Sequence, residues 1–232
     1  MKTKSWVRGR KAPLIALVAV VAATAFPAAA SATDKGKLTV VHAVPGLTVD
    51  VYADDDLLLE DFKPGTITHP VRLDPAAYEI EVTPANSTNE VLSATVQVKS
   101  GTDAAAVAYL SEDGDPTLGL FNNNQRPIRQ SKARVTVRHT AAAPEVDVRF
   151  KRPGGKWKNV TTELMNGEQA KRGFTARRYR FDVVLAGTDN RVLGPTSLKL
   201  ERRTHYFAYA WGSADDDSLR LNLSTRRLPV SR

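Results

Sequence analysis

The chain has 232 residues, a formal net charge of +8 at neutral pH and no cysteine. Its length accommodates an export signal and two domains of about 100 residues, each able to bury its own core. The lack of cysteine excludes disulfides, a lipidated N-terminal cysteine and a thiol nucleophile.

Residues 1–32 have the features of a secretory signal peptide. Five Lys and Arg residues precede an apolar run over residues 12–26, and Pro27 follows that run. Small residues at positions 30–32 favour cleavage after Ala32. The alternative is an uncleaved membrane anchor, but spanning a bilayer takes about 20 apolar residues and this run is shorter. We therefore expect a secreted, extracellular protein, with any attachment to the cell wall made by non-covalent contacts.

The remainder of the chain contains one module twice. The stretch 38–52 recurs at 135–149, and Val40, His42, Val49, Asp50 and Val51 are among the residues repeated in register at an offset of 97. A second stretch, 73–82, recurs at 174–183 at an offset of 101, so the second copy has gained four residues in between. We place this insertion at a hairpin tip near Lys151–Lys156, where Pro-Gly-Gly marks a turn. Further matched pairs are Ala108 and Ala208, Tyr109 and Tyr209, Leu118 and Leu219, and Leu120 and Leu221.

Apolar and polar residues alternate in both copies, as around Tyr78, and this period of two is typical of half-buried strands. Turn residues separate the runs, which gives about seven short strands per copy. Tyr78 and Tyr179 stand where the tyrosine of a tyrosine corner bonds back to the backbone, although stacking on a ligand is an alternative role. The predicted fold is all-β. It consists of two tandem antiparallel β-sandwiches of immunoglobulin-like, Greek-key type, one over residues 33–125 and one over residues 126–232.

Several motifs of the first copy are typical of one bacterial family. They are Val-His-Ala-Val-Pro at 41–45, Val-Asp-Val-Tyr at 49–52, Lys-Pro-Gly-Thr at 63–66 and Leu-Asp-Pro-Ala-Ala-Tyr at 73–78. In these motifs the chain resembles the secreted bacterial family catalogued as domain of unknown function 4397, and the second copy resembles it more distantly. The resemblance implies an envelope or extracellular β-domain from a Gram-positive source, and it brings no established chemistry.

The repeated histidines and aspartates invite a catalytic or metal-binding interpretation. His42 and His139 end inward-facing apolar rows, so we predict buried, hydrogen-bonded histidines that stabilise each sandwich. Asp50 and Asp147 point away from the inward valines and either orient a histidine or cap the Pro-containing loop. The chain has no Gly-x-Ser-x-Gly elbow and no His-x-x-His spacing. We therefore predict no catalytic residues, cofactor or metal, and expect that the protein is not an enzyme. An uncharacterised hydrolase is kept as an alternative.

Two further sets of residues have competing explanations. The acidic clusters at 54–56, 112–115 and 215–217 are either solvated hairpin tips or weak calcium sites, and none has the spacing of an EF-hand. Aromatic residues crowd around Trp211, where they form either strand core or a platform for stacking on sugars.

Charge is the sharpest functional signal in the sequence. Residues 33–125 contain 5 Lys or Arg and 15 Asp or Glu, a net charge of −10. Residues 126–232 contain 23 and 10, a net charge of +13. The mature protein is therefore predicted to join an acidic module to a basic one, an asymmetry that concerns partners rather than fold.

Three interpretations of this asymmetry stay open. The acidic and basic modules associate with each other, within or between chains; or the basic module binds anionic envelope polymers, carbohydrate or lipid head groups; or the protein is an enzyme. Nucleic acid is not expected as a partner of an exported protein. We predict a non-enzymatic binding or structural protein of the cell envelope, with an anion-binding surface on outward strand faces of the basic module. The residues predicted for this surface are Arg138, Arg149, Lys171, Arg172, Arg177, Arg178, Arg180, Lys199, Arg202 and Arg203.

Overall fold

The structure is a computed structural model that describes residues 34–231. The predicted signal peptide and its cleavage site lie outside these residues. The described part of the chain forms sixteen β-strands and contains no helix, and so no helix long and apolar enough to cross a membrane.

The first eight strands form a sandwich of two four-stranded sheets. One sheet has the order β4-β1-β7-β8 and the other β3-β2-β5-β6. Neighbouring strands are antiparallel except for the parallel pair β1 and β7. The strands are β1 (Gly36–Ala43), β2 (Val49–Ala53), β3 (Asp56–Phe62), β4 (Val71–Leu73), β5 (Ala76–Pro84), β6 (Leu92–Val98), β7 (Asp103–Leu110) and β8 (Pro116–Asn122).

The last eight strands repeat this arrangement. Their sheets have the orders β12-β9-β15-β16 and β11-β10-β13-β14, again with one parallel pair, β9 and β15. Each of these strands therefore occupies the same position in the second sandwich as the strand numbered eight lower occupies in the first. The strands are β9 (Lys132–Ala142), β10 (Val146–Lys151), β11 (Lys158–Leu164), β12 (Gln169–Thr175), β13 (Arg178–Leu185), β14 (Arg191–Lys199), β15 (Thr204–Ser213) and β16 (Arg220–Arg227).

The all-β fold with two sandwiches is as predicted, but the strand order differs from that of an immunoglobulin domain. Constant-type immunoglobulin sheets have the orders ABED and CFG, with the first strand beside the second. Here the first strand lies between the fourth and the seventh. The predicted boundary at residue 125 falls in the linker between β8 and β9, and both sandwiches belong to one compact unit.

Strand pairing shows how the inserted residues are distributed between the copies. In the β2–β3 hairpin Ala53 pairs with Asp56, and at the equivalent place in the β10–β11 hairpin Phe150 pairs with Lys158. The offset between the copies rises from 97 to 102 across this tip, so the hairpin gains five residues. One residue is lost again within β12, because Ile67 corresponds to Gln169 and Val71 to Arg172, and this loss restores the predicted difference of four.

Strand pairing also corrects the predicted alignment of the last two strands. Ala108 pairs with His42, whereas Ala210, and not Ala208, pairs with His139. The predicted match was thus two residues out of register, and the β8 residues shift equally. Alternation cannot detect such an error, because a shift of two leaves every side chain on its own face.

Equivalent aspartates stabilise the same irregularity in both sandwiches. Asp61 and Glu163 lie beside register shifts and have left-handed φ values of 49° and 51°. Asp50 accepts a hydrogen bond from the Asp61 amide, and Asp147 from the Glu163 amide, both at 2.9 Å. The two roles predicted for these aspartates are therefore wrong, since each supports a β-bulge instead.

The repeated histidines and tyrosines have the predicted structural roles. His42 and His139 are 2% exposed, and Nε2 of each lies 2.7 and 3.0 Å from a backbone carbonyl oxygen. A carbonyl only accepts, so Nε2 carries the proton, and burial lowers the pKa of both histidines. The hydroxyls of Tyr78 and Tyr179 donate to carbonyl oxygens four residues earlier at 3.0 and 3.2 Å, as in a tyrosine corner.

The two sandwiches pack face to face through an apolar layer. Outward-facing residues of β1, β7 and β8 meet outward-facing residues of β15. Trp211 lies in this layer, so the interpretation of the aromatics as strand core is correct here. No ion pair joins the sandwiches within residues 34–231. The layer consists of Val41, Ala43, Ala105, Val107, Tyr109, Phe121, Phe207, Tyr209 and Trp211.

Equivalent residues make equivalent contacts across this interface. Gly65 lies against Trp211, and its equivalent Gly167 lies against Tyr109, the equivalent of Trp211. A Cβ on these glycines would come within 2.8 Å of the Trp211 ring and 2.7 Å of the Tyr109 hydroxyl. Both glycines also have a left-handed φ, of 78° and 79°. Glycine is therefore required at both positions for two reasons: the turn has a left-handed φ, and the aromatic residue of the other sandwich leaves no room for a Cβ.

Candidate anion-binding site

Arg138 is fully buried between the two sandwiches, so its predicted place on an accessible surface is wrong. Its side chain does leave the outward face of β9, but the first sandwich covers that face. The guanidinium carbon lies 4.9 Å from the Phe121 ring centre and 5.1 Å from those of Phe207 and Tyr209. Cation–π contacts of this kind replace part of the hydration that burial removes.

The side-chain acceptors that bond the Arg138 guanidinium are all neutral. Nη1 donates to the Tyr209 hydroxyl at 2.6 Å, Nη2 to Asn123 Oδ1 at 2.7 Å and Nε to Gln169 Oε1 at 3.1 Å. Burial lowers the pKa of Arg138, yet an arginine side chain stays protonated at neutral pH. Arg138 is thus a buried cation of the interface and is inaccessible to an external anion.

Arg149 is also buried, and its charge is neutralised. Nε and Nη2 donate to the two carboxylate oxygens of Asp182 at 3.1 and 3.0 Å, and Nη1 bonds Asp189. These hydrogen bonds raise the pKa of Arg149. The Trp157 ring centre lies 5.3 Å from the guanidinium carbon. The prediction of Arg149 as an accessible cation is therefore wrong as well.

The other eight predicted cations lie at the surface and fall into three sets. Lys171 and Arg172 lie on β12 and line the clefts described below. Arg178 and Arg180 alternate with a buried tyrosine on β13, and Lys199 of β14 pairs with Arg178, so these three share one face. We term Arg178, Arg180 and Lys199 the outer patch. The remaining predicted residues are Arg177 and Arg202, which are exposed, and Arg203, which is half-buried.

The linker between β8 and β9 lines an open cleft of about 640 Å³, which we term the linker cleft. Residues of β9 and β12 complete it. Arg134 Nη1 donates to the carbonyl oxygens of Asn124 and Arg126 at 2.9 and 3.2 Å, which fixes this side chain against the linker. Burial and the neighbouring Arg126 lower the pKa of Arg134. All charged side chains lining the cleft are cationic: Arg126, Arg129, Lys132, Arg134, Lys171 and Arg172.

The β10–β11 hairpin lines a second cleft of about 390 Å³, the hairpin cleft, which adjoins the first at Arg172. Lys151 Nζ lies 4.6 Å from the Trp157 ring centre, and the Arg172 guanidinium lies 5.2 Å from that of Phe150. Aromatic stacking therefore helps to position two of its cations. In the first sandwich the same hairpin carries Asp54–Asp56. The charged lining residues are Lys151, Arg152, Lys156, Lys158 and Arg172.

The linker cleft and the hairpin cleft together form what we term the basic groove. Ten different Lys and Arg residues line it, and no Asp or Glu does. None of the ten forms an ion pair with a carboxylate in the part of the chain that the structure describes. Such a cluster focuses a positive potential and favours an anion long enough to contact both clefts.

His205 is buried next to the linker. Nδ1 lies 3.1 Å from the carbonyl oxygen of Asn124, and Nε2 lies 2.8 Å from the Thr136 hydroxyl. Because the carbonyl only accepts, Nδ1 carries the proton and Nε2 accepts from the hydroxyl. Burial, reinforced by the positive charge of Arg134, lowers the pKa of His205 to about 3. The histidine is therefore neutral at physiological pH, beside a strongly positive region.

Sequence reasoning found two of the ten groove cations and missed eight. The missed residues lie in the linker, at the start of β9 and in the β10–β11 hairpin, which the sequence presented as connections. The available signal was Lys-Arg-Pro-Gly-Gly-Lys-Trp-Lys at 151–158, with four cations in eight residues.

The three acidic clusters lie at exposed turns between paired strands. Each follows the first strand of an antiparallel hairpin: β2–β3, β7–β8 and β15–β16. Within residues 34–231 no group of three or more His, Cys, Asp or Glu side chains is placed to hold a metal ion.

Residues 36–149 match the model of a family described as "Domain of unknown function (DUF4397)". The match covers 114 of the chain's 232 residues. No curated protein matches the chain. Among solved structures, the Bacillus anthracis TIE protein is 14% identical to the chain, with a TM-score of 0.25. The match covers 73% of this chain and 32% of that protein, so the chain spans about a third of its length.

The DUF4397 segment confirms the resemblance seen in the sequence motifs and extends beyond the first sandwich. It includes the linker and β9 and ends within β10 at Arg149. A second DUF4397 copy in the basic module stays a prediction. Four groove cations, those of the linker and β9, lie inside the matched segment, and six lie beyond it. Most of the basic groove therefore lies in the part of the chain that the DUF4397 model does not match.

Proposed function

We propose that the protein is an exported, non-enzymatic protein of the cell envelope that binds an anionic envelope polymer in its basic groove. The observation that carries this proposal is the set of ten cations, without ion-paired carboxylates, that line two adjoining clefts. Export is supported by the composition of residues 1–32.

The shape of the groove favours a polymer over a lipid bilayer. Its cations line concave clefts, where a flexible chain with repeated negative charges is able to contact several of them at once. A bilayer surface is better matched by a flat sheet face such as the outer patch. That patch has three cations, and one of them, Lys199, is already paired with Glu201 at 3.1 Å. The basic groove therefore has more cations than the outer patch, and fewer of them are neutralised by ion pairs.

The change between equivalent hairpins supports the same proposal. The hairpin tip that carries Asp54–Asp56 in the first sandwich is longer in the second and carries four cations. A polyanion is repelled by the first tip and attracted by the second. The hairpin of the second sandwich, and not the equivalent hairpin of the first, is therefore the one that favours the polymer.

Retention on isolated Gram-positive cell walls tests the proposal with the mature chain, residues 33–232. The groove variant combines Lys156→Glu and Lys158→Glu, and the matched control combines Arg178→Glu and Arg180→Glu in the outer patch. Each exposed charge contact contributes up to about 1 kcal/mol, so the groove variant is expected to bind about tenfold or more weakly. The control variant is expected to stay within about threefold of the wild type, since its charges lie elsewhere. Salt is expected to release all three proteins, because exposed charges are screened over about 8 Å at physiological ionic strength.

Two results would contradict the proposal. Equal losses in both variants would mean that binding follows net charge and not the groove. Absence of retention by the wild type at low salt would overturn the proposal altogether. Vesicles containing phosphatidylglycerol serve as a further arm: tighter binding to vesicles than to cell walls would favour lipid over polymer.

A further inference from the structure

A third cleft, of about 600 Å³, continues the basic groove into the space between the two sandwiches, and we term it the junction cleft. It shares Asn124, Arg126 and Lys171 with the linker cleft. The first sandwich contributes Asp103, the second contributes Gln169, and linker residues 123–125 lie between them. A ligand that fills the basic groove is therefore able to extend into this cleft without leaving the surface.

The chemistry of the lining changes from the groove to the junction cleft. The charged lining of the groove consists of cations alone. The lining of the junction cleft has five side-chain amides, two threonine hydroxyls and one carboxylate beside its three cations, Lys37, Arg126 and Lys171. Amides offer donors and acceptors side by side, as the hydroxyl groups of sugars require. A phosphate chain without hydroxyls needs donors only and has no group that donates to the carboxylate of Asp103.

The buried Arg138 orients polar groups of the junction cleft. It donates to Gln169 Oε1 at 3.1 Å and to Asn123 Oδ1 at 2.7 Å, and Asn123 Nδ2 donates to Asp103 Oδ1 at 2.7 Å. A guanidinium cannot accept, so both amide oxygens face it and both amide nitrogens face away. Gln169 Nε2 and Asp103 Oδ2 form no hydrogen bond with any residue of 34–231. The cleft lining thus holds an unpaired donor and an unpaired acceptor on opposite sandwiches.

We propose that the junction cleft binds a sugar unit of the polymer, which makes the ligand an anionic glycan whose sugars carry carboxylate or phosphate groups. This inference rests on the proposed function. Gln169 Nε2 donates to one sugar hydroxyl, and Asp103 Oδ2 accepts from another. Lys171 and Arg126 contact the acidic group of the same unit and lead the chain into the groove. Arg138 touches no ligand and acts as a positioning residue.

Isothermal titration calorimetry of the mature chain tests this inference with two probes of equal charge. Oligogalacturonate and oligoglutamate of the same number of carboxylates differ in that only the first carries sugar hydroxyls. Two hydrogen bonds to hydroxyls are expected to make oligogalacturonate bind about tenfold tighter. Gln169→Met and Asp103→Asn are each expected to reduce this preference to about threefold or less. Gln130→Met, an exposed glutamine outside the three clefts, is the matched control and is expected to keep it.

The outcomes separate this inference from the proposed function. Equal affinity of the wild type for both probes would overturn the glycan inference while leaving binding in the groove intact. So would a preference that survives both substitutions. No binding of either probe would overturn the proposed function as well. Because the two substitutions lie on different sandwiches, a folding defect in one variant leaves the other to decide the question.

Discussion

Substitution of Arg138 by methionine measures what a buried cation contributes to the interface. The change leaves two buried acceptors, the Tyr209 hydroxyl and the Asn123 amide oxygen, without the donor that they bond in the wild type. Each unsatisfied acceptor costs about 1–3 kcal/mol of stability. The change also removes three cation–π contacts of about 0.5–2 kcal/mol each. Two factors limit this loss of stability. No carboxylate loses a hydrogen-bonded partner, and the methionine variant avoids the cost of several kcal/mol of burying the guanidinium charge away from water. We expect Arg138→Met to lower the free energy of unfolding by about 1–3 kcal/mol.

Arg138→Lys is expected to cost at least about 1 kcal/mol more than Arg138→Met. An ammonium group is more strongly hydrated than a guanidinium, and it cannot bond three acceptors in a fork or stack on the rings. Urea-induced unfolding at neutral pH, followed by circular dichroism, measures both variants against the wild type. A lysine variant more stable than the methionine variant would refute this reasoning, since charge and not guanidinium geometry would then stabilise the interface.

Three further predictions concern the scaffold. Between its unfolded pKa of 6.5 and its folded pKa of about 3, His205 binds a proton only in the unfolded chain. The free energy of unfolding should therefore decrease as the pH is lowered through that window, by up to about 1.4 kcal/mol per pH unit. In urea titrations a His205→Gln variant should show a weaker dependence of this free energy on pH, and an unchanged dependence would contradict the prediction. Asp147→Ala leaves two backbone amides without their acceptor, so urea unfolding should show a loss of about 1–3 kcal/mol, whereas a loss below about 0.5 kcal/mol would argue against a bulge-stabilising role. Gly65→Ala forces a Cβ to within 2.8 Å of Trp211 and should cost about 2 kcal/mol more than Gly46→Ala, which has a similar φ and open space; equal costs would leave only the backbone effect.

The sequence predicted the fold well because the chain repeats itself. Alternation was visible in both copies, and residues shared at a constant offset, such as His42 and His139, proved to be scaffold in both sandwiches. Chain topology was harder, because alternation reports which face a residue occupies and not which strands are neighbours. The same limit explains the misaligned last strands, where a shift of two residues preserved every face.

Accessibility could not be inferred from an outward face alone. Arg138 points outward from its sandwich, but the other sandwich covers it. A sign of this was present in the sequence. From Leu38 in β1 and from Ala104 in β7 the strands are largely apolar on both faces, which is typical of strands that are buried on both faces. The basic groove was missed for a different reason. Its cations come from the linker, a hairpin and β12, and only the fold brings these segments together.

The most direct test of the basic groove is acetylation of the lysines of the mature chain with and without cell-wall polymer, read out by mass spectrometry. Lys156, Lys158 and Lys171 line the groove, whereas Lys35 and Lys199 lie outside it. At low salt and saturating polymer, we predict that acetylation of the three groove lysines slows by about tenfold or more, since modification then requires release of the polymer. Lys35 and Lys199 should change by less than about twofold. Equal protection of all five lysines, or the strongest protection at Lys199, would contradict binding in the groove.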